Sequence, residues 1–100
     1  MGLNLILTLK QEKAVIRTLL RKLGTSEEEA DATAEVLAEG DLRGLGSHGI
    51  LRLSYILRGL KRGTITARAK VRVVKENPAT ALIDGGHGLG HHVATRAMKL

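Results

Sequence analysis

The sequence predicts an α/β protein: an N-terminal segment of three helices, then a β-hairpin and the opening of a further helix. Three observations predict it. Apolar residues recur at helical spacing in three stretches between residues 9 and 62, bounded by capping residues and glycines. The period then changes in "AKVRVVKE", residues 69–76, which reads as a strand with bases on one side and valines on the other. A second apolar run, "ATALIDGG", is followed by a glycine-rich loop and by "HHVATRAMKL", which opens a helix. Residues 1–63 are therefore expected to form a helical segment, and residues 64–100 the start of a sheet-containing domain.

"NLIL", residues 4–7, is a short apolar opening that could be a strand. Thr8 and Gln11 then have capping-box spacing, in which a hydroxyl serves the third helical N–H and an amide reaches back. The helix they start is expected over Leu9–Leu23, with Val15, Ile16, Leu19, Leu20 and Leu23 as its apolar stripe and Gly24 as its stop. Ser26 and Glu29 repeat the capping box, and Glu27 and Glu28 suit the positive end of the helix dipole. The second helix is expected to run through Ala30, Ala34, Leu37 and Ala38 towards Leu42, weakened at Gly40 by ~1 kcal/mol relative to alanine. "GLGSHG" breaks the pattern. Ser47 is the expected N-cap of a third helix that turns Ile50, Leu53, Ile56, Leu57 and Leu60 inward and closes at Gly63. Asn77-Pro78 turns the chain between the two strands. Leu100 falls inside the last helix without a stop signal, so the chain is expected to be the front part of a longer protein.

The composition sets bounds on function. Of 100 residues, 43% are hydrophobic and 26% charged, which is ordinary for a globular protein. Tyr55 is the only aromatic, so the core must be aliphatic, and burial is expected to be shared with more chain or a second subunit. The absence of cysteine excludes disulfides and thiolate zinc sites and makes a reducing interior, the cytoplasm, the default location. No apolar run approaches the ~20 residues needed to span a bilayer, and no secretory leader is visible. The net charge of +6 is uneven: residues 1–41 carry five bases and eight acids, whereas Arg43 to Lys75 carry nine bases and no acid. That run could meet nucleic acid, form a solvated face or draw in small anions; no stacking aromatics interleave it, and nucleic acid is not the expected partner.

Chemistry concentrates in "GSHGILRL", residues 46–53. A helix mouth favours anions and opposes a charged imidazolium, so His48 should stay neutral and able to accept a proton. Arg52 lies four residues on, hence on the same helical face, and its planar guanidinium can grip a carboxylate at two points. Together they suit a small anionic substrate that must gain or lose a proton. On spacing alone the plain alternative stands: Ser47 only caps, His48 lies on the surface and Arg52 is solvated. "DGGHGLGHH" begins like a dinucleotide fingerprint, but its third glycine, Gly90, comes one place early and His91 stands where glycine is required; a Rossmann phosphate loop is not expected. His87 and His91 have the spacing of helical metal ligands, yet Gly88 and Gly90 between them oppose a helix. No metal site is expected there, nor a role assigned to His92. Asp84 is expected to cap the N–H groups of the loop.

The stretches "EADATAEVLAEGDLRGLGSHGILRL", "LKRGTI" and "ALIDGGHGLG" followed by "AM" carry a resemblance, in order and spacing, along most of residues 9–98. The chain resembles the type 2 malate/L-lactate dehydrogenases, a family that includes ureidoglycolate and sulfolactate dehydrogenases and piperideine-carboxylate reductases. The resemblance implies the N-terminal portion of a larger, non-Rossmann oxidoreductase that transfers a hydride between NAD or NADP and a small 2-hydroxy or 2-oxo acid, commonly as a homodimer. It implies that His48 is the proton donor and acceptor for the substrate oxygen, that Ser47 relays to it, and that Arg52 holds the substrate carboxylate. The cofactor-binding segments of such enzymes lie beyond residue 100, so these 100 residues alone are not expected to turn over substrate. Many members carry tyrosine eight residues after the histidine; here that position is Ile56, and Tyr55 comes one residue earlier. Two other readings are a truncated, non-enzymatic interaction domain and a basic nucleic-acid-binding module.

Overall fold

A computed structural model describes residues 8–45 and 49–99. Its elements follow the predicted order: α1 (Leu9–Lys22), α2 (Glu27–Leu42), α3 (Leu51–Arg62), β1 (Arg72–Glu76), β2 (Ala81–Asp84) and α4 (Gly90–Met98). The strand expected at residues 4–7 lies outside the described residues, as do Ser47 and His48.

Both capping boxes form. Thr8 Oγ1 accepts the Gln11 N–H at 3.1 Å while Gln11 Oε1 accepts the Thr8 N–H at 2.9 Å. Ser26 and Glu29 repeat this at 3.1 and 2.8 Å. Each closes off backbone donors that a helix start otherwise leaves open. α1 ends one residue before Leu23, as the backbone swings to φ +91° at Gly24. α3 ends on Gly63 at φ +82°, the left-handed stop its sequence predicts.

Glu29 does more than its capping position foretells. The side chain is buried, and its two carboxylate oxygens also accept the Arg68 N–H at 2.9 and 3.0 Å. Arg68 sits at φ +56°, a conformation costly for a side-chain-bearing residue, and its Nε donates to Gly24 O at 3.0 Å. The start of α2 thus fastens the connection between α3 and the hairpin.

The core is aliphatic, as the composition requires. Ile16 and Leu20 of α1 meet Ala30, Ala34 and Leu37 of α2, with Leu53 and Ile56 of α3 and Leu89 closing the cluster. Fully burying one such leucine or isoleucine contributes about 1.5–3 kcal/mol. Val15, expected on the inner stripe of α1, is 41% exposed instead. Small residues on α2 allow the close approach: Ala30, Ala34 and Ala38 are all fully buried.

β1 and β2 pair antiparallel, with Arg72 opposite Asp84 and Glu76 opposite Ala81, and an irregularity between Val73 and Lys75. The strands are shorter than "AKVRVVKE" and "ATALIDGG". All five residues of β1 are exposed, so the valine side does not pack on the helices. Alternation in the sequence marked the pairing but not a buried face.

Candidate functional site

The entry to α3 is held from a distance. Ile50 donates its N–H to Asp41 Oδ2, 2.8 Å away, and Asp41 stands at the end of α2, nine residues earlier. Gly49 is buried against the same carboxylate, and a Cβ there would overlap Asp41 Oδ1. The glycine of "SHG" is therefore required by the approach of Asp41. Regular helix begins at Leu51, after a turn in which Gly49 O and Ile50 O accept from Arg52 and Leu53 at 2.9 Å each. The predicted cap, Ser47, lies outside the described residues, and no described side chain caps α3 other than through the Asp41 contact to Ile50.

Asp41 also touches Glu12 of α1. Desolvation between the helices, followed by the hydrogen bond and the charge of Asp41, pushes the Glu12 carboxyl up to about 7. A protonated Glu12 can donate to Asp41, whose Oδ2 accepts the Ile50 N–H.

α3 then carries Arg52 into the wall of a cleft of about 280 Å³. Its lining is Val36 from α2, Arg52, Tyr55 and Ile56 from α3, and His91 from the first turn of α4. That volume is at the lower edge of small-molecule sites, ~300–1,000 Å³, and fits a small acid. Ile56, at the position where tyrosine is common, is buried in the core, while Tyr55 is 66% exposed and lines the cleft. Burial depresses the His91 ring below the usual histidine value, and the positive charge of Arg52 depresses it further.

His91 was absent from the sequence-predicted site because its spacing to Arg52 has no local meaning; only the packing of α4 brings them together. The available signal was a histidine immediately after a glycine loop, at a helix opening. The three histidines of that region part company in space. His92 is buried on the other side of α4, in a cleft with Glu28, Asp31 and Glu35 of α2. His87 sits in the loop at φ +59°. Among the described residues, no three His, Cys, Asp or Glu side chains are grouped to hold a metal ion.

The glycine loop is a packed turn. Asp84 Oδ1 accepts the Gly86 N–H at 2.9 Å, the capping role expected of it, and that bond, with Arg72 beside it, lowers the Asp84 carboxyl below its ordinary value. A Cβ on Gly85 would come within 2.8 Å of Val93 Cγ1, one on Gly86 within 3.1 Å of Lys70 O, and one on Gly88 within 3.0 Å of Ala69 Cβ. These glycines face protein. At Gly90, by contrast, a Cβ would meet nothing within 4 Å.

The family model for malate/L-lactate dehydrogenase matches residues 7–100. The chain belongs to this family. Within the family it is 45% identical over 96 residues to L-sulfolactate dehydrogenase of Methanocaldococcus jannaschii, and 46% identical over 82 residues to malate dehydrogenase of Pyrococcus horikoshii. Those alignments cover 96% and 82% of this chain but 28% and 23% of the relatives. The solved structure of the Pyrococcus horikoshii enzyme superposes with a TM-score of 0.92 at 41% identity, over 96% of this chain and 28% of that one. The sulfolactate dehydrogenase structure gives 0.92 at 44% identity, over 95% and 28%. The chain thus spans little more than a quarter of these relatives, corresponding to their N-terminal part. Among the described residues, the four helices and antiparallel hairpin are the α/β arrangement expected for that part of a malate/L-lactate dehydrogenase.

Proposed function

We propose that this chain is the acid-holding N-terminal portion of a dehydrogenase that transfers a hydride between NAD or NADP and C2 of a small 2-hydroxy or 2-oxo acid. The observation that carries the reading is Arg52 in the wall of a cleft of about 280 Å³, in a chain of this family. Relatives named for malate and sulfolactate support that class of substrate. Arg52 would grip the substrate carboxylate in two-point fashion and so fix the orientation of C2. His48, with Ser47 relaying to it, would take the hydroxyl proton during oxidation and return it during reduction. The nicotinamide would accept or supply the hydride, held by the remainder of the enzyme. Residues 64–100 would begin the sheet-containing domain, and the enzyme would work as a homodimer in the cytoplasm. Among the described residues no helix is long and apolar enough to cross a membrane.

The test is steady-state kinetics on the full-length enzyme. His48→Ala should lower kcat by about 10²–10⁴-fold with little change in cofactor affinity. Arg52→Ala should act mainly by raising KM for the acid. Wild-type kinetics in both variants would end this assignment.

A further inference from the structure

The cleft holds a polar group that the proton-transfer reading leaves unused. His91 and Arg52 come from different helices, α4 and α3, and share one small cavity whose other walls are the apolar Val36 and Ile56 and the ring of Tyr55. The backbone carbonyl of His91 accepts from Thr95 Oγ1 at 2.7 Å, but no described residue hydrogen-bonds to its imidazole. A partly buried ring without a partner among the described residues has hydrogen-bonding capacity to offer a ligand.

The atoms of a 2-hydroxy acid can be apportioned. A guanidinium that forks onto the C1 carboxylate occupies both of its oxygens, and the C2 oxygen belongs to the proton-transfer group. The only polar atoms left for a third contact are those carried on C3. Resting on the dehydrogenase reading above, we propose that His91 is a specificity-determining residue that hydrogen-bonds to a polar or anionic substituent on C3 of the acid held by Arg52. Acids of the malate type, with a second acidic group, then gain a contact that lactate, with only a methyl, cannot make. Lactate would also leave the ring facing an apolar group in a confined space, which adds to the discrimination. Burial and the neighbouring Arg52 hold the ring towards its neutral form, which leaves one N–H donor for the substituent and avoids a second cation beside Arg52.

Steady-state kinetics on the full-length enzyme with L-malate and L-lactate test this, for wild type, His91→Ala and His91→Gln. His91→Ala should lower the malate-to-lactate ratio of kcat/KM by about tenfold or more, chiefly through KM for malate. His91→Gln, which keeps an amide donor, should recover part of the ratio. A purely structural role would depress both substrates together and leave the ratio where it was; that result, or an unchanged ratio at full activity, overturns the proposal. A wild-type enzyme that oxidises neither of these acids nor sulfolactate, with either nicotinamide, overturns the dehydrogenase reading instead, and this proposal falls with it.

Discussion

Asp41 and Glu12 show how single residues set up the site. Asp41 accepts the Ile50 N–H and packs on Gly49, so it fixes the chain next to His48 in sequence. Asp41→Ala leaves that N–H without a partner and should cost about 1–3 kcal/mol in urea unfolding. Gly49→Ala should also destabilise, because its methyl would collide with the Asp41 carboxylate. Glu12 gives a pH signature. Its carboxyl is raised from 4.5 to about 7 by desolvation and by Asp41, so the folded chain holds this proton more tightly than the unfolded chain does. The contribution is fully present below about pH 4.5, declines as pH climbs towards 7, and is lost above it. Thermal midpoints measured from pH 4.5 to 8 should carry this decline for wild type and lose it in Glu12→Gln, whose amide donates without titrating. An equal slope in both would remove the carboxyl pair from the account.

The elements differ in how far the sequence foretells them. Both capping boxes and the stop at Gly63 were readable because each is decided within a few residues. The Asp41 contact at the start of α3 was not, since that acid lies nine residues back in another helix; the cap expected there, Ser47, lies outside the described residues. Hairpin pairing was readable from alternation, but exposure of all of β1 depends on what lies beside it. Arg52 was legible as a candidate from its spacing to His48; His91 was not, because only the docking of α4 puts it in the cleft. The glycine loop failed as a cofactor motif in the sequence, and its packing against Lys70, Ala69 and Val93 supplies the reason its glycines are there. Glycines inside α3 and α4 can be separated by the same reasoning. A Cβ on Gly90 meets nothing within 4 Å, so Gly90→Ala should stabilise by about 0.4–1 kcal/mol. A Cβ on Gly59 would stand 2.5 Å from Ile65 Cδ1 and 3.4 Å from its Cβ. Ile65 is β-branched and stiff, so overpacking of about 1–3 kcal/mol should outweigh the helix gain and make Gly59→Ala destabilising. Chemical denaturation of the two variants should give opposite signs; a stable Gly59→Ala would show that the contact between α3 and Ile65 is loose.

Across the whole molecule, stability is unevenly placed. Fully buried side chains collect where α1 lies on α2, with Ile16, Leu20 and Leu37 at the centre, whereas the hairpin shows Val73, Val74 and Leu82 to solvent. A two-stranded hairpin exposed in this way is marginal by itself and must draw its order from its two ends, the Glu29–Arg68 fastening on one side and the packed glycine loop on the other. Local opening should therefore cost little in the hairpin and close to the full unfolding energy in α1 and α2. Amide hydrogen exchange on the chain should find the slowest amides around Ile16, Leu20 and Leu37, with those of Arg72–Glu76 far faster. The matching substitutions make the same point energetically. Leu37→Ala should cost about 2–5 kcal/mol, since the side chain is wholly buried. Leu82→Ala, at a residue 59% exposed, should stay within about 0.5 kcal/mol. If Leu82→Ala instead matched Leu37→Ala in this chain, the hairpin would be part of the core, and the division between a helical centre and a peripheral sheet would have to be redrawn.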